Sequence, residues 1–363
     1  MINPHRYCVI MCGGIGSRFW PYSRTNLPKQ FIDFLGTGRT LLQMSYDRVT
    51  AFIRPENIIV VTNELYAALV KEQLPELTDA QILCEPARRN TAPCIAWAAY
   101  HIKAIDPEAS IIVTPSDHLI TRESIFVESI IRGFEFVETN DALLTLGITP
   151  TRPETGYGYI QIGAQAGEGI NEVKTFTEKP DKELAKVFIS TGEFFWNSGI
   201  FLWKADTILR SFRELVPDIA SVFESAPDGT FLDPDTEKQF IARAFPSCVS
   251  ISIDFAVMEK APNVFVECVS FGWNDLGTWS ALYDNSPRNR DANVAQNCNL
   301  ISYNSTGNIL AVRNPDKLVV IDGLHDYIIA DAGDVLLICP KAEEQRIKQM
   351  VNDTKLAHGD KYL

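Results

Sequence analysis

Five short apolar runs punctuate the first 150 residues: YCVIM at 7, IIVV at 58, ILCEP at 82, IIVTPSD at 111 and LLTLGI at 143. Runs of that length, apolar without alternation, read as strands covered on both faces. The segments between them have the length and apolar spacing of covering helices: ELYAALVKEQL (64–74), TAPCIAWAAYHIKAI (91–105) and SIFVESIIRGFEFVE (124–138). This alternation points to an α/β fold, the rhythm of a parallel sheet with helices on both faces. In such sheets ligands lie beyond the carboxyl ends of strands. The polar strings GGIGSR, EPARRNTAP and PSDH each follow one of the runs.

From about residue 151 the pattern is mixed, with TGYGYIQIG, a strand-like VKTFTEK, a helical DKELAKVFI and then WNSGIFLWKA. After about 290 it changes to short strands separated by turn residues, as in NLISYNSTGNILAVR and YIIADAGDVLLIC, followed by the helical KAEEQRIKQMV. The expected organisation is a large α/β domain over 1–289 and a small β-rich domain over 290–363, β-helix-like or oligomerising. The net charge of -13 argues against a nucleic-acid surface, so any positive charge that meets phosphate must be local. The eight cysteines show no C-x-x-C and no metal-ligand spacing, and Cys8 and Cys12 read as packing residues of the first strand. No charged-then-apolar leader and no long apolar run occurs. The expectation is a cytoplasmic protein with no membrane partner.

The chemistry concentrates in YCVIMCGGIGSRFWPYSRTNLPKQF, residues 7–31. Gly13, Gly14 and Gly16 let backbone N–H groups approach phosphate oxygens, and Arg18, Arg24 and Lys29 follow closely enough to neutralise developing charge. Two commoner glycine loops fail the test. Counting from Gly14, the sixth position of a dinucleotide fingerprint is Phe19, and no G-K-[ST] follows. What remains, G-G-x-G-x-R ending in P-K-Q-F, resembles the signature of the sugar-1-phosphate nucleotidylyltransferases, and the whole string is similar to their mannose-1-phosphate guanylyltransferase branch.

The resemblance covers residues 5–285 in ordered motifs and implies the nucleotide-diphospho-sugar transferase type of α/β fold, Rossmann-like with a mixed, mostly parallel sheet. It implies transfer of GMP from GTP to α-D-mannose 1-phosphate, with Mg²⁺ or another divalent metal as cofactor. Arg18, Lys29, Asp117 and Asp275 would be catalytic, and the two aspartates would hold the metal. Gly13, Gly14, Gly16, Glu85, Asn90 and Thr91 would bind the nucleotide, the last three selecting guanine. Gly156, Tyr157, Gly158, Glu178, Lys179 and Asn197 would bind the sugar phosphate. Read from the residues alone, several of these have plainer roles. Asp117 and Asp275 each precede a helical stretch and suit an N-cap, as do Asn90 and Thr91; Glu178 and Lys179 suit a solvated strand-end pair. Trp196 reads as a wall or core residue, and His118 as a neighbour of Asp117 rather than a base.

Ser116, Cys94 and Thr177 depart from the family's usual residues without removing a charge or a ligand. Many bacterial relatives continue into a sugar-isomerase domain, whereas this chain stops at Leu363, so a monofunctional enzyme is expected. Two other readings fit the same residues: a nucleotidyltransferase for another hexose phosphate or base, and a nucleotide-sugar sensor without turnover. The apolar β-rich tail could mediate pairing into a homodimer.

Overall fold

The computed structural model describes residues 2–363, whose packing divides them into two compact units interleaved along the sequence. The first unit comprises the residues up to Gly13, Tyr46–Pro115 and Ile120–Trp273; the second comprises Gly14–Ser45, Ser116–Leu119 and Asn274–Leu363.

In the first unit all five apolar runs are strands: Arg6–Cys12, Ile58–Asn63, Ile82–Glu85, Ser110–Pro115 and Leu143–Ile148. They join Gly158–Gly167, Ile170–Glu178, Phe194–Lys204 and Val264–Val269 in one sheet of nine strands among the described residues. In spatial order the sheet runs 82–85, 58–63, 6–12, 110–115, 194–204, 143–148, 264–269, 170–178, 158–167. The first four strands are mutually parallel. Strand 194–204 is antiparallel to both of its main neighbours, which makes the sheet mixed. Strand order reverses between 6–12 and 110–115, the kind of switch point whose carboxyl ends carry ligand loops in open α/β sheets.

The expected helices form as Ala67–Gln73 after a 3₁₀ turn at Glu64–Tyr66, Thr91–Ile105, and Glu123–Thr139. Helix Thr91–Ile105 is buried over most of its length because Ala92, Ala96, Ala98 and Ala99 let its backbone lie close against the sheet. Its Trp97 indole N–H would be an orphan there, and it donates instead to Glu237 Oε1 at 2.7 Å. No helix among the described residues is long and apolar enough to cross a membrane. Cys8 and Cys12 are both fully buried in the core strand, and no disulfide forms among the described residues.

The second unit has its own core, in which Phe19 packs on Phe34 and Trp279 at ring-centroid distances of 4.7 and 5.2 Å, continuous with Val294, Ile309, Ala311, Ile328 and Ala330. Its short strands Val294–Gln296, Ile309–Val312 and Tyr327–Asp331 stack in parallel, and so do Asn299–Tyr303 and Leu318–Asp322. Such coiling leaves polar backbone inside the turns, and two buried asparagines satisfy it. Asn308 Nδ2 donates to Asn293 Oδ1 and to Leu324 O, at 2.9 and 2.8 Å. Its Oδ1 accepts from Tyr327 N at 2.9 Å, while Asn293 Nδ2 donates to Ser305 O at 2.8 Å. Asn308→Ala is therefore expected to lower unfolding stability by about 2–3 kcal/mol, because it strands buried donors and acceptors at once. The midpoint of urea denaturation followed at 222 nm measures this; an unchanged midpoint would mean the ladder carries no stability.

Candidate active site

The glycine loop of the second unit is shaped by what its carbonyls do. Gly14 O accepts from Gln30 Nε2 at 2.9 Å and Ile15 O from Ser23 Oγ at 2.6 Å, both donors belonging to the same 14–45 segment. In a trans peptide the N–H points opposite to the carbonyl, so the N–H groups of Ile15 and Gly16 face away from Gln30 and Ser23. Gly16 has φ +70°, and a Cβ there would lie 2.5 Å from Lys29 Cβ. Only glycine satisfies both the backbone angle and the close approach. Gly16→Ala should therefore push Lys29 out of place and lower kcat about tenfold or more, with a far-ultraviolet spectrum like that of the unaltered chain. Full activity in that variant would mean that the loop tolerates the displacement.

Lys29, in the 3₁₀ turn Lys29–Phe31, is buried, with its side chain only 4% exposed. Its ammonium donates to Asp117 Oδ2 at 3.0 Å and to the main-chain carbonyl of Asp275 at 2.6 Å. One cation thus brings together three positions far apart in sequence, all within the second unit. Burial alone would push the Asp117 carboxyl up, but the Lys29 charge, with His118 beside it, outweighs burial and holds it below the usual aspartate range. His118 Nε2 lies 3.8 Å from Asp117 Oδ1.

The capping roles open to the two aspartates go to other residues. Thr278 caps the helix Trp279–Asp284 by accepting from Ala281 N, and the helix Glu123–Thr139 begins at Arg122 without a side-chain cap. Asp275 Oδ1 instead accepts from Gly277 N at 2.9 Å across Leu276, a non-glycine residue held at φ +44°. Buried Leu276 in that conformation is stored backbone strain of the sort that clusters at functional sites. Arg18 Nε is buried and finds no hydrogen-bond partner among the described residues, which leaves a desolvated donor beside the loop. Arg24 turns the other way: its guanidinium is buried in a two-pronged pair with Asp334, which removes it from the phosphate-binding set that its spacing suggested.

Among the described residues no three or more His, Cys, Asp or Glu side chains are grouped to hold a metal by themselves. The donors present, an ionised Asp117 and the Asp275 carboxylate, are hard oxygens. They fit a cation such as Mg²⁺, which characteristically takes one or two carboxylates and fills its remaining positions with phosphate oxygens and water.

In the first unit, Gly13 follows the strand Arg6–Cys12, and a Cβ on it would come 3.8 Å from Glu85 Oε2. Glu85 ends the strand Ile82–Glu85 and is 7% exposed, and its Oε1 is buried without a partner among the described residues. Burial pushes its carboxyl up to about 8, against weaker downward pulls from the Cys94 thiol and Arg88. Asn90 makes a local bond and Thr91 a long-range one. Asn90 Oδ1 accepts from Thr91 N at 2.9 Å at the start of the helix, and Thr91 Oγ1 accepts from Ile253 N at 2.8 Å.

The remaining first-unit residues form one cluster. Tyr157 packs edge-on against Trp196 and Trp273, at ring-centroid distances of 5.1 and 5.3 Å, and Glu154 Oε1 accepts from Gly156 N at 3.1 Å. Trp196 is a buried wall, with the Arg152 guanidinium 5.4 Å from its ring. Gly158 pairs with Glu178 across the strands, and a Cβ on Gly158 would meet Glu178 Oε2 at 2.6 Å. Lys179, at φ +48°, is ion-paired to Glu178, and its side chain is 61% exposed. Asn197 lies opposite Gly147 beside a register shift between strands 143–148 and 194–204, an irregularity that re-aims a side chain. Its Nδ2 donates to Asp254 Oδ1 at 2.7 Å. Asp254 carries no motif and reads in sequence as an ordinary acid before the apolar run FAVM; only the fold brings it to Asn197.

The nucleotidyl transferase family profile matches residues 7–291, and a mannose-phosphate isomerase/GMP-like beta-helix domain profile matches 299–353. Mannose-1-phosphate guanylyltransferase 2 of Escherichia coli O157:H7 is 35% identical over 366 residues, covering 98% of this chain and 74% of that protein. The alginate biosynthesis protein AlgA of Pseudomonas aeruginosa is 36% identical over 95% of this chain and 71% of its own length. Among solved structures, a mannose-1-phosphate geranyltransferase from Thermus thermophilus superposes with a TM-score of 0.84 at 27% identity, over 97% of this chain and 99% of that one. With the glycine loop, the Lys29 cluster and near full-length similarity in agreement, the chain belongs to the nucleotidyl transferase family, in its mannose-1-phosphate guanylyltransferase branch.

Proposed function

We propose that this chain transfers GMP from GTP to α-D-mannose 1-phosphate, giving GDP-mannose and pyrophosphate. The observation that supports it most directly is the Lys29 ammonium shared by Asp117 and the Asp275 carbonyl beside a glycine loop. In the reaction an oxygen of the sugar phosphate bonds to the α-phosphorus, the bond from that phosphorus to the bridging oxygen breaks, and pyrophosphate leaves with the electron pair. The attacking phosphate is already anionic, so no general base is required, and positioning with charge neutralisation is the main demand.

The loop N–H groups of Ile15 and Gly16 would meet phosphate oxygens, Arg18 would add its unpartnered donor, and Lys29 would give phosphate its third ammonium hydrogen while keeping Asp117 and the Asp275 carbonyl. Asp117 and Asp275 would hold a divalent metal, which when bound neutralises charge on the triphosphate. In the first unit Glu85 would accept from guanine N1–H and the N2 amine, a pairing adenine cannot offer. Glu178, Lys179 and Asn197 would hold the sugar phosphate, with Tyr157 and Trp196 as its wall.

Purified protein with Mg²⁺, GTP and mannose 1-phosphate should release pyrophosphate, and a panel of nucleotides and hexose phosphates should rank that pair first. Turnover of a different pair alone would overturn the specificity. Nucleotide binding without turnover on any pair would favour a sensor.

A further inference from the structure

Asn197 has four hydrogen-bonding valences, and the structure accounts for three of them. Its Oδ1 accepts from Gly199 N at 3.2 Å and from Thr145 Oγ1 at 3.3 Å, and one Nδ2 hydrogen goes to Asp254 Oδ1 at 2.7 Å. The oxygen contacts fix which end of the amide is which, and the bond to Asp254 fixes its rotation. One N–H remains. Its place is marked by Gly158: a Cβ there would lie 2.6 Å from Glu178 Oε2 and 3.8 Å from Asn197 Nδ2, so carboxylate and amide flank the same small space.

Asp254 opens a π-helical turn, Asp254–Met258, a geometry used to re-aim side chains near functional sites. Burial, with the nearby charge of Glu178 adding to it, pushes the Asp254 carboxyl up against the pull of Asn197 and Lys179. Burial and the charge of Glu178 work against its ionisation, and the pull of Asn197 and Lys179 does not offset them. Its contact with Asn197 gives it a use.

We propose that Asp254 is a positioning residue for the hexose: it locks the Asn197 amide so that the remaining Nδ2 hydrogen is donated to a sugar oxygen beside Glu178. This rests on the reading of Asn197 as a sugar-phosphate residue. The test uses the full chain and steady-state kinetics with GTP and mannose 1-phosphate for Asp254→Ala, Asp254→Asn, Asn197→Ala and the double variant Asp254→Ala/Asn197→Ala. Asp254→Ala should raise KM for the sugar phosphate about tenfold while KM for GTP and kcat change less than about threefold. Asp254→Asn keeps an acceptor oxygen and the side-chain shape, and it should recover most of the loss. The double variant should be no worse than Asn197→Ala, because Asp254 acts through the amide.

Additive losses in the double variant, or equal KM changes for both substrates, would overturn the proposal. If Asn197→Ala raises the sugar KM and neither Asp254 variant does, the positioning role falls alone. If none of the variants moves it, the sugar-subsite reading falls as well. Unchanged melting of Asp254→Asn guards against a folding defect.

Discussion

Lys29→Ala is expected to lower kcat by about 10²- to 10³-fold, the usual cost of removing one preorganised donor from developing charge. The size follows from placement. The ammonium is almost fully buried, so its field is not screened as a surface lysine's would be, and its aim is fixed by Asp117 Oδ2 and Asp275 O. Lys29→Arg should not restore the rate, because a planar fork cannot reproduce a point charge sharing two acceptors beside the Phe19 ring, whose centroid is 5.9 Å from Nζ. Alanine also removes the cation that keeps Asp117 ionised, so the Asp117 carboxyl should rise and whatever cation it holds should bind more weakly. Rapid-quench measurement of a single turnover separates loss of chemistry from loss of binding. A chemical step within about threefold of the original would remove Lys29 from the catalytic set.

The second large effect concerns Glu85 and pH. Its carboxyl sits at about 8 in the folded chain, against an ordinary value of 4.5, mainly because burial disfavours the charge. Between those values the folded state holds a proton that the unfolded state releases, so the Glu85 contribution to stability is full below about 4.5 and is lost as pH rises through about 8. At 1.36 kcal/mol per pH unit the loss is of order 3–5 kcal/mol as an upper bound. Glu85→Gln removes the titrating group, so melting temperature against pH should flatten between 5 and 8. The same variant tests the guanine reading. Accepting from N1–H and the N2 amine favours the carboxylate, so KM for GTP should fall as pH rises from 6.5 to 8. In Glu85→Gln that dependence should vanish, together with most of the preference for GTP over ITP, which lacks the N2 amine. An unaltered preference for GTP would place base selection elsewhere.

The sheet was legible because burial on both faces writes itself as continuous apolar runs, and each of the five became a strand. The central strand Phe194–Lys204 shows the limit. Its apolar residues say that it is buried, but its antiparallel direction between 110–115 and 143–148 depends on which neighbours the chain returns to, and hydrophobicity is blind to direction. Lys29 and Arg24 make the same point for charge. Both follow the glycine loop within a short stretch, yet one reaches Asp117 and the other is buried against Asp334, a residue some three hundred positions away. Asp254 left no trace in the motif pattern, since an acid before an apolar run is also how an ordinary helix begins.

By itself the sequence determined the layered α/β class, the loop whose glycines suit phosphate, and the short set of acids and bases able to serve it. Those properties reside in local composition and periodicity, which one strand or turn expresses without reference to the rest. Tertiary structure alone decided which charges meet: Lys29 with Asp117 and Asp275, Arg24 with Asp334, Asn197 with Asp254. Electrostatic and hydrogen-bonding energies depend on distances of a few ångströms, and those are set by packing between segments remote in the chain.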